Sequence, residues 1–433
     1  MNVTKDLKIN GIDKLKENFN VSVKEYEDRY VLNYNQFDSP RFHPIVDECR
    51  GLILDKQFNV LCRPFNRFYN AGEGTNCKNG FSIVKTHKNP KLRKIREMDF
   101  KKAIFRHKMD GSLIKCYYDG TKWQMATRGT AFAEAETMLG ITYIDLIKQC
   151  GEYPRIINFL NNKSHYNQYT FLFELTSPAN KIVTPYSSTK LTLLAIVNNN
   201  NGLEINSDDL DLISETIGIK AAQRYQVDSY SDLLHLVEHE FPALQEGVVV
   251  SWEEEIKTSK FKQLIKQLMK QIGLNKFGVE DMYELKKIHR LKLKNTRYCA
   301  VHNMRANGNI SPKNVLFLVA KNEHHEYLTY FEEDKPMFDL VENSIKELKE
   351  VNEKLYEQIK NIEDQKEFAL EVNKNKECHP PILFEMRKGR TFEDFVKTQL
   401  EKPKAFVSLL NLKEKFKQQF GIDFDKDEGK DEK

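Results

Sequence analysis

The chain has 433 residues, of which 40% are hydrophobic and 30% are charged, and its formal net charge at pH 7 is +4. This balance is typical of a soluble globular protein and excludes a disordered one, and the length predicts two or three domains. Because the net charge is only mildly basic, any contact with nucleic acid must come from local clusters of cations.

The N-terminus lacks the apolar core of a signal peptide, and no later apolar run approaches the length that spans a membrane. The seven cysteines are scattered along the chain and form no C-x-x-C pair. Reduced thiols are therefore expected in place of disulfides or a zinc site. These features predict an intracellular, cytoplasmic protein with no membrane partner.

Short apolar or alternating segments, separated by Gly, Asn and Asp, occupy residues 28–300 and predict β-rich structure. The clearest element is a hairpin of residues 113–118 and 121–126 around Asp119-Gly120, a dipeptide that favours a two-residue type I′ turn. Further strands are predicted at 171–175, 191–197, 247–252 and 291–294.

From about residue 300 the apolar residues recur at spacings of three and four, which predicts helices. An amphipathic helix is expected over 345–362, and further helices over 392–400 and 405–420. We place a domain boundary near residue 303 and expect residues 425–433 to form a solvated tail. The predicted fold class is α+β, with a β-rich domain at 1–303 followed by an all-helical C-terminal domain at 304–433.

The chemistry-bearing candidate is Lys108-Met109-Asp110-Gly111, a K-x-D-G sequence that is weak on its own because composition alone produces such matches. The segments that surround it in the chain strengthen the interpretation of Lys108 as a catalytic residue. Six further segments occur in a fixed order around it: Asp47–Leu54 and Arg63–Asn70 upstream, then Thr127–Gly129, Phe173–Val183, Glu246–Val250 and Leu291–Lys294.

In this order the segments resemble the nucleotidyltransferase motifs of covalent ligases, and in detail the RNA ligase 1 family of T-even bacteriophages, over residues 30–330. The resemblance implies a nucleotidyltransferase (ligase adenylation) domain at 1–303 and an RNA- or tRNA-selecting helical domain at 304–433. It implies an ATP-dependent RNA ligase that joins 5′-phosphate and 3′-hydroxyl ends through a lysyl-AMP intermediate. Viral or phage origin fits the same resemblance.

Broken tRNA is the substrate that the resemblance implies, in RNA repair alongside an end-healing kinase and phosphatase. The sequence contains no G-x-x-x-x-G-K-[ST] phosphate loop, so that kinase would be a separate partner.

The resemblance also implies the site residues. Lys108 would become the lysyl-AMP, and Glu174 and Glu246 would hold Mg²⁺, with Mn²⁺ as the alternative metal. The remaining nucleotide contacts would be Tyr34, Arg50, Arg67, Arg128, Lys292 and Lys294. The residue types suit the chemistry, since the attacking amine must be neutral and neighbouring cations favour that form. Mg²⁺ keeps several waters and takes few protein carboxylates.

Two departures from the family pattern leave alternatives open. Arg67 stands where the family has lysine, which keeps the charge but changes the donor geometry. A long gap also separates Glu246 from Lys292. Either residues 253–288 are a Lys-rich helical insertion, with a solvated or RNA-contacting cationic face, or the last motif is Lys260-Phe261-Lys262. We expect the former, with Lys292 and Lys294 as the motif.

Two other functions compete with the RNA ligase. A DNA ligase or a capping guanylyltransferase of the same superfamily would continue into a small β-barrel, whereas this chain turns helical after residue 303. A non-catalytic RNA-binding relative would not need Lys108, Glu246 and Lys292, all of which are present.

Overall fold

The computed structural model describes residues 1–35, 38–71, 82–83, 96–97, 102–137, 139–254, 283–306, 309–321, 324–328, 331–400 and 402–424. The chain divides into two compact units, Met1–His302 and Asn303–Lys433. The first unit contains the two largest sheets, and the second is mostly helical. The predicted α+β class, with a β-rich region before a helical one, is confirmed.

The strands of the first unit fall into a small antiparallel sheet, β1 to β4, and a large one. Their bounds in chain order are β1 Val21–Glu25, β2 Arg29–Tyr34, β3 Arg50–Asp55, β4 Val60–Cys62, β5 Tyr69–Asn70, β6 Ser82–Ile83, β7 Arg96–Glu97, β8 Ala103–Lys108, β9 Ser112–Tyr118, β10 Trp123–Thr127, β11 Tyr169–Thr176, β12 Lys190–Asn198, β13 Glu204–Ile205, β14 Lys220–Ala221, β15 Arg224–Tyr225, β16 Gly247–Glu254 and β17 Leu285–Lys294.

The large sheet has the strand order β10-β9-β11-β12-β13-β17-β16-β8-β15. β14 pairs with β12 and β5 pairs with β17, both in parallel, while β6 and β7 pair with each other. The helices of this unit are α1 Asn2–Phe19, α2 Pro44–Glu48, α3 Tyr143–Gln149, α4 Glu152–Asn161, α5 Ser207–Ile217, α6 Tyr230–His235 and α7 Thr296–Met304, the last of which crosses the unit boundary.

The small sheet buries both of its faces, as the period-two alternation of its strands requires. Leu32, Leu52 and Leu54 pack on one face with α1. Val31 and Ile53 point the other way and pack against β9 and β10 of the large sheet. The segment that carries Arg50 is therefore fixed against the strands that follow Lys108.

The second unit is built from α8 Pro312–Ala320, α9 His324–Leu328, α10 Lys335–Ile359, α11 Gln365–Lys374, α12 Pro380–Arg387, α13 Phe392–Gln399, α14 Pro403–Leu409 and α15 Leu412–Phe420. A short ladder, β18 Arg305–Ala306 with β19 Asn309–Ile310, precedes these helices, so the predicted all-helical domain begins with two strands. A buried ion pair of Arg305 with Asp334 ties this ladder to the start of α10, and the Tyr327 hydroxyl donates to the same carboxylate at 2.7 Å.

The predicted hairpin is confirmed as β9 and β10, but its type I′ turn is wrong. Gly120 has a positive φ and Asp119 does not. A four-residue loop closes the hairpin because the Asp119 carboxylate accepts hydrogen bonds from the backbone N–H groups of Thr121 and Lys122, each at 2.9 Å. This Asx-type bonding stabilises a longer turn.

The prediction of one helix over 405–420 is wrong, because the structure has two helices there, α14 and α15. The chain breaks at Asn411, whose φ of 52° lies in the left-handed region and cannot continue a helix. The change of direction lets Leu410 and Leu412 both become buried. The predicted helices at 345–362 and 392–400 are confirmed in type, as α10 and α13.

Within the described residues, none of the helices combines the length and the apolarity needed to cross a bilayer. Six of the seven cysteines lie in the described ranges, and each of the six is a free thiol. Cys77, the predicted tail at 425–433 and residues 255–282 of the predicted insertion at 253–288 lie outside those ranges.

Candidate active site

A cavity of about 570 Å³ in the first unit collects most of the predicted site residues. Residues of β8, β16 and β17 line one part of it, and residues of β9, β11 and β12 line another. The predicted residues that line it are Arg50, Lys108, Arg128, Glu174, Glu246, Lys292 and Lys294. Segments up to 244 positions apart thus contribute to one site.

The register of three antiparallel strands brings Lys108, Glu246 and Lys294 together. Gly247 at the start of β16 pairs with Lys108 of β8 on one side and with Lys294 of β17 on the other. Glycine is required here because a Cβ at Gly247 would lie 2.1 Å from the carbonyl oxygen of Leu293. The residue before it, Glu246, therefore reaches both lysines.

The carboxylate of Glu246 is shared between these two lysines. Lys108 Nζ donates to Glu246 Oε2 at 2.5 Å, and Lys294 Nζ lies 3.0 Å from Oε1. Burial alone would raise the pKa of this carboxyl group, but the two ammonium groups outweigh burial and hold the pKa of Glu246 below its ordinary value. Glu246 is therefore a charged group in the floor of the cavity.

Glu174 has the opposite electrostatic environment. It lies on β11 and accepts a hydrogen bond from the backbone N–H of Gly111 at 3.1 Å. Burial raises the pKa of Glu174 to about 7, and the charge of Lys108 only partly opposes this. Two carboxylates of different basicity thus line one cavity. Among the described residues no cluster of three or more His, Cys, Asp or Glu side chains could hold a metal ion.

Lys292 is a cation whose charge this site disfavours. Burial, together with the neighbouring charges of Arg50 and Lys108, lowers the pKa of Lys292 to about 7. Its Nζ lies 4.9 Å from the centre of the Phe68 ring, and the Arg50 guanidinium lies 5.0 Å from the same centre. Crowded cations of this kind are stabilised by an anion, because the anion removes their mutual repulsion.

The Arg50 side chain is partly buried, and burial lowers the pKa of its guanidinium. Its Nη1 makes no hydrogen bond to any described residue. A buried donor without a partner is costly, and a phosphate oxygen would satisfy it. The Arg50 side chain is thus placed to bind an anion in the cavity.

Tyr34 and Arg67 lie next to this cavity, and neither is among the residues that line it. The Tyr34 ring is held between two guanidinium groups, with Arg67 at 4.1 Å and Arg128 at 4.5 Å from the ring centre. Tyr34 therefore fixes the position of Arg128, which does line the cavity. Of the alternative last motifs, Lys292 and Lys294 line the cavity, whereas Lys260 and Lys262 fall outside the described residues.

Sequence reasoning missed the role of Asp110, although it stands within the K-x-D-G segment. Its carboxylate accepts hydrogen bonds from the backbone N–H groups of Val183 and Thr184 at 2.9 and 2.7 Å and from the Tyr298 hydroxyl at 2.7 Å. Asp110 thereby ties the turn after Lys108 to the segment after β11 and to α7. The signal in the sequence was the place of Asp110 between Lys108 and Gly111.

Glycine is required at position 111 of the same segment for a steric reason. A Cβ at Gly111 would lie 2.3 Å from the carbonyl oxygen of Leu175. Only glycine allows the chain after Lys108 to approach β11 closely enough for the Gly111 N–H to reach Glu174.

We predict that Glu174→Gln raises the thermal stability of the ligand-free protein at pH 8 by a few degrees. In the folded state the pKa of Glu174 is raised to about 7 from its ordinary value of 4.5. The stability of the fold therefore decreases as the pH rises from 4.5 through about 7, because the carboxyl group loses its proton while buried. The glutamine resembles the protonated form. Melting curves in the presence of a chelator, at pH 8 and pH 5, measure the difference, which should shrink at pH 5.

The matched control is Glu215→Gln, an exposed carboxylate on α5, which should melt with the wild type at both pH values. A Glu174→Gln protein that is less stable than the wild type at pH 8 would contradict the buried-carboxylate assignment.

Comparison with known proteins fits this geometry. The sequence model described as RNA ligase, of T4 RNA ligase 1 type, matches residues 48–290. A protein of Autographa californica nuclear polyhedrosis virus, provisionally named a bifunctional polynucleotide kinase/RNA ligase, is 35% identical over 261 residues. That match covers 58% of this chain and 35% of the viral protein, so the chain spans about a third of that relative's length.

Solved structures were also compared. An archaeal ATP-dependent RNA ligase matches with a TM-score of 0.41 at 10% identity, over 71% of this chain and 64% of its own. A Naegleria gruberi RNA ligase with pyrophosphate matches with a TM-score of 0.31 at 12% identity, over 47% of this chain and 52% of its own. The family match covers more than half of the chain and includes Arg50, Lys108, Glu174 and Glu246. The chain therefore belongs to the RNA ligase family that resembles RNA ligase 1 of T-even phages.

Proposed function

We propose that this chain is an ATP-dependent RNA ligase that joins a 5′-phosphate to a 3′-hydroxyl and that Lys108 carries AMP between the steps. The observation that carries the proposal is the shared carboxylate of Glu246. It holds Lys108 and Lys294 in a cavity that also contains Lys292, Arg50 and Glu174. A nucleophilic amine beside a cluster of cations suits attack on a polyphosphate.

In the first step Lys108 loses one ammonium proton to solvent, and the neutral nitrogen attacks the α-phosphorus of ATP. The P–N bond forms, the bond from that phosphorus to the bridging oxygen breaks, and pyrophosphate leaves with the electron pair. The amine proton passes to Glu246, which already contacts it. Arg50, Lys292 and Lys294 stabilise the charge that develops on the leaving group, since nucleotidyl transfer depends on positioning and electrostatics.

In the second step an oxygen of the RNA 5′-phosphate attacks the AMP phosphorus. The P–N bond breaks and Lys108 recovers its electron pair, together with the proton held by Glu246. In the third step the 3′-hydroxyl attacks the activated 5′-phosphorus, and AMP leaves. Lys108 is needed as a nucleophile only in the first step and as a leaving group only in the second.

The donor set fits a divalent cation that keeps most of its waters. Glu174 and Glu246 supply carboxylate oxygens, and the phosphates of ATP would supply others. These two residues would hold Mg²⁺ or Mn²⁺, which neutralises phosphate charge when bound. A related Naegleria gruberi RNA ligase carries ATP and Mn in its solved structure.

The biological substrate we propose is broken tRNA, repaired together with a kinase and phosphatase that prepare the ends. Support comes from the viral relative, whose name combines a polynucleotide kinase with an RNA ligase. The second unit, Asn303–Lys433, would select the RNA, because the proposed nucleotide contacts from Arg50 to Lys294 precede it. Structured RNA is usually recognised by shape and backbone contacts.

We predict that Lys108→Ala and Lys108→Arg form no covalent adduct with labelled ATP, because neither offers a neutral amine. The same Lys108→Ala protein should still seal an RNA whose 5′-phosphate already carries AMP, since that step bypasses the lysine. Gel assays of adduct and of sealed strand measure both reactions. Lys122→Ala, which changes an exposed lysine of the β9–β10 turn, is the control and should match the wild type in both.

Adduct at wild-type level in either Lys108 variant would refute the assignment. A wild-type protein that binds RNA but forms no adduct with ATP and Mg²⁺ would favour a non-catalytic RNA-binding relative.

A second prediction concerns the helical unit. A protein ending at His302, once shown by circular dichroism to be folded, should still form the adduct but lose its preference for nicked tRNA over an unstructured RNA of equal length. Ligation rates on the two substrates give the answer. An unchanged tRNA preference would remove the second unit from substrate choice, and lost adduct formation in a folded truncate would place part of the active site there.

A further inference from the structure

A second cavity, of about 350 Å³, lies along one edge of β17. On this edge β13 pairs with Leu285 and Lys286, and β5 pairs with Leu291 and Lys292. Between these two pairings, residues Lys287–Arg290 line the cavity, and no strand of the described chain pairs with them on that edge. The interruption of the sheet is what creates the space.

The cavity is cationic. Four basic side chains and two carboxylates line it. The basic residues are Arg63, Arg67, Lys287 and Arg290, and the acidic residues are Asp47 and Glu204. Arg290 and Glu204 already pair with each other through two hydrogen bonds, one of them 2.7 Å long. Lys287 pairs with Glu254, which lies outside the lining, at 3.0 Å. The charge left over comes from Arg63 and Arg67 and is positive, so an anion is the ligand that the lining favours.

Two of these cations have unused donors. Arg67 is only 9% exposed, and its Nη1 makes no hydrogen bond to any described residue. The Arg63 guanidinium packs against Gly202, where a Cβ would lie 2.3 Å from its central carbon. Within the described chain this guanidinium forms neither a hydrogen bond nor an ion pair, and its backbone N–H alone is bonded, to Thr170 and Asn199.

Aromatic rings supply the rest of the lining. Phe42, Phe65, Phe68 and Tyr69 all contribute. Cations beside aromatic rings form the combination that binds a nucleotide of a single strand, because the rings stack on the base while the cations pair with the phosphates. Tyr69 is held in place by its hydroxyl, which donates to Asp47 at 2.5 Å.

The second cavity adjoins the site around Lys108. The two share five lining residues: Phe65, Phe68, Glu204, Ile288 and Arg290. Arg290 and Lys292 point to the same face of β17, about 7 Å apart along the strand. A strand end that lies in the second cavity can therefore extend a phosphate past Arg290 to Lys292 and the AMP on Lys108.

We propose that the second cavity binds the terminal nucleotide of the 5′-phosphorylated RNA strand. Its 5′-phosphate reaches the first cavity beside Lys292, its base lies among the four aromatic rings, and the next phosphodiester pairs with Arg63 and Arg67. This site rests on the proposed ligase function and deepens it, since it assigns the strand that receives AMP. The same cations could instead bind the outer phosphates of ATP, and the experiment separates these two sources of phosphate.

The test uses the full chain after it has been charged with AMP and freed of ATP. A single-turnover reaction with a 5′-phosphorylated RNA gives the rate of AMP transfer and the RNA concentration for half-maximal rate. Two RNAs are compared, one natural and one with an uncharged methylphosphonate in its first linkage. In the wild type the neutral linkage should raise the half-maximal concentration about tenfold, as loss of one charge-assisted contact would.

In Arg63→Gln the concentration of natural RNA that gives the half-maximal rate should rise about tenfold. The methylphosphonate should not raise this concentration further, because the partner of that phosphate charge is gone. Arg63→Lys should recover part of the loss. The rate of adduct formation from ATP should stay within about twofold of the wild type. Lys122→Gln, a distant exposed cation, is the control and should behave as the wild type throughout.

Lys287→Gln is a second variant whose side chain is half exposed, so it tests the cavity without disturbing buried structure. It should also raise the half-maximal RNA concentration. A methylphosphonate penalty that remains full-sized in Arg63→Gln would overturn the site, and so would an Arg63 defect confined to adduct formation, which would assign the cavity to ATP. A wild-type protein that never charges with AMP would refute the ligase function itself.

Discussion

The buried carboxylate of Glu246 bonds to two lysines that come from different strands, and the arrangement of the site depends on that contact. Lys108 ends β8, Lys294 ends β17, and Glu246 precedes the strand between them. Burying a carboxylate is costly unless opposite charges compensate it, and here two ammonium groups do so. Neither lysine can be placed in this way until the three strands have paired, so the site forms only with the sheet.

Three lysines line the same cavity, and electrostatics alone does not select Lys108 among them. The pKa of Lys292 is lowered to about 7, which makes its neutral amine accessible near neutral pH. Most of its charged neighbours are cations, however, and a bound triphosphate would restore its charge and make it a phosphate contact. Lys108 differs from Lys292 because its partner is a carboxylate that can take a proton. Lys294 shares that carboxylate, and only the position of Lys108 at the head of the K-x-D-G segment separates the two. The geometry and this position together favour Lys108 as the nucleophile and Lys292 as a binding group.

Much of the site follows from the order of segments in the sequence, because the chemistry demands particular residue types at Lys108, Glu174, Glu246 and Lys292. The positions of the side chains in the folded protein could not be predicted from the sequence in the same way. Tyr34 and Arg67 stack with Arg128 beside the main cavity, an arrangement set by how the small sheet packs on β9 and β10. The missed role of Asp110 has the same origin, since its partners come from segments more than 70 positions away.

Two predictions of local conformation were wrong for a related reason. Asp119-Gly120 favours a two-residue turn in isolation, but the Asp119 side chain bonds to two backbone N–H groups and selects a longer loop. The split between α14 and α15 at Asn411 follows from the burial of Leu410 and Leu412, which helical periodicity alone does not reveal. Side-chain hydrogen bonds and tertiary burial thus decide between conformations of similar local energy.

The most direct test of the central claim is to map the AMP on the wild-type protein. The chain is incubated with ATP and Mg²⁺, digested, and analysed by mass spectrometry for the adenylylated residue. Our account predicts AMP on Lys108 alone, in an acid-labile phosphoramidate linkage. AMP on Lys292 or Lys294 would contradict it, because the amine beside Glu246 on β8 would then not be the nucleophile.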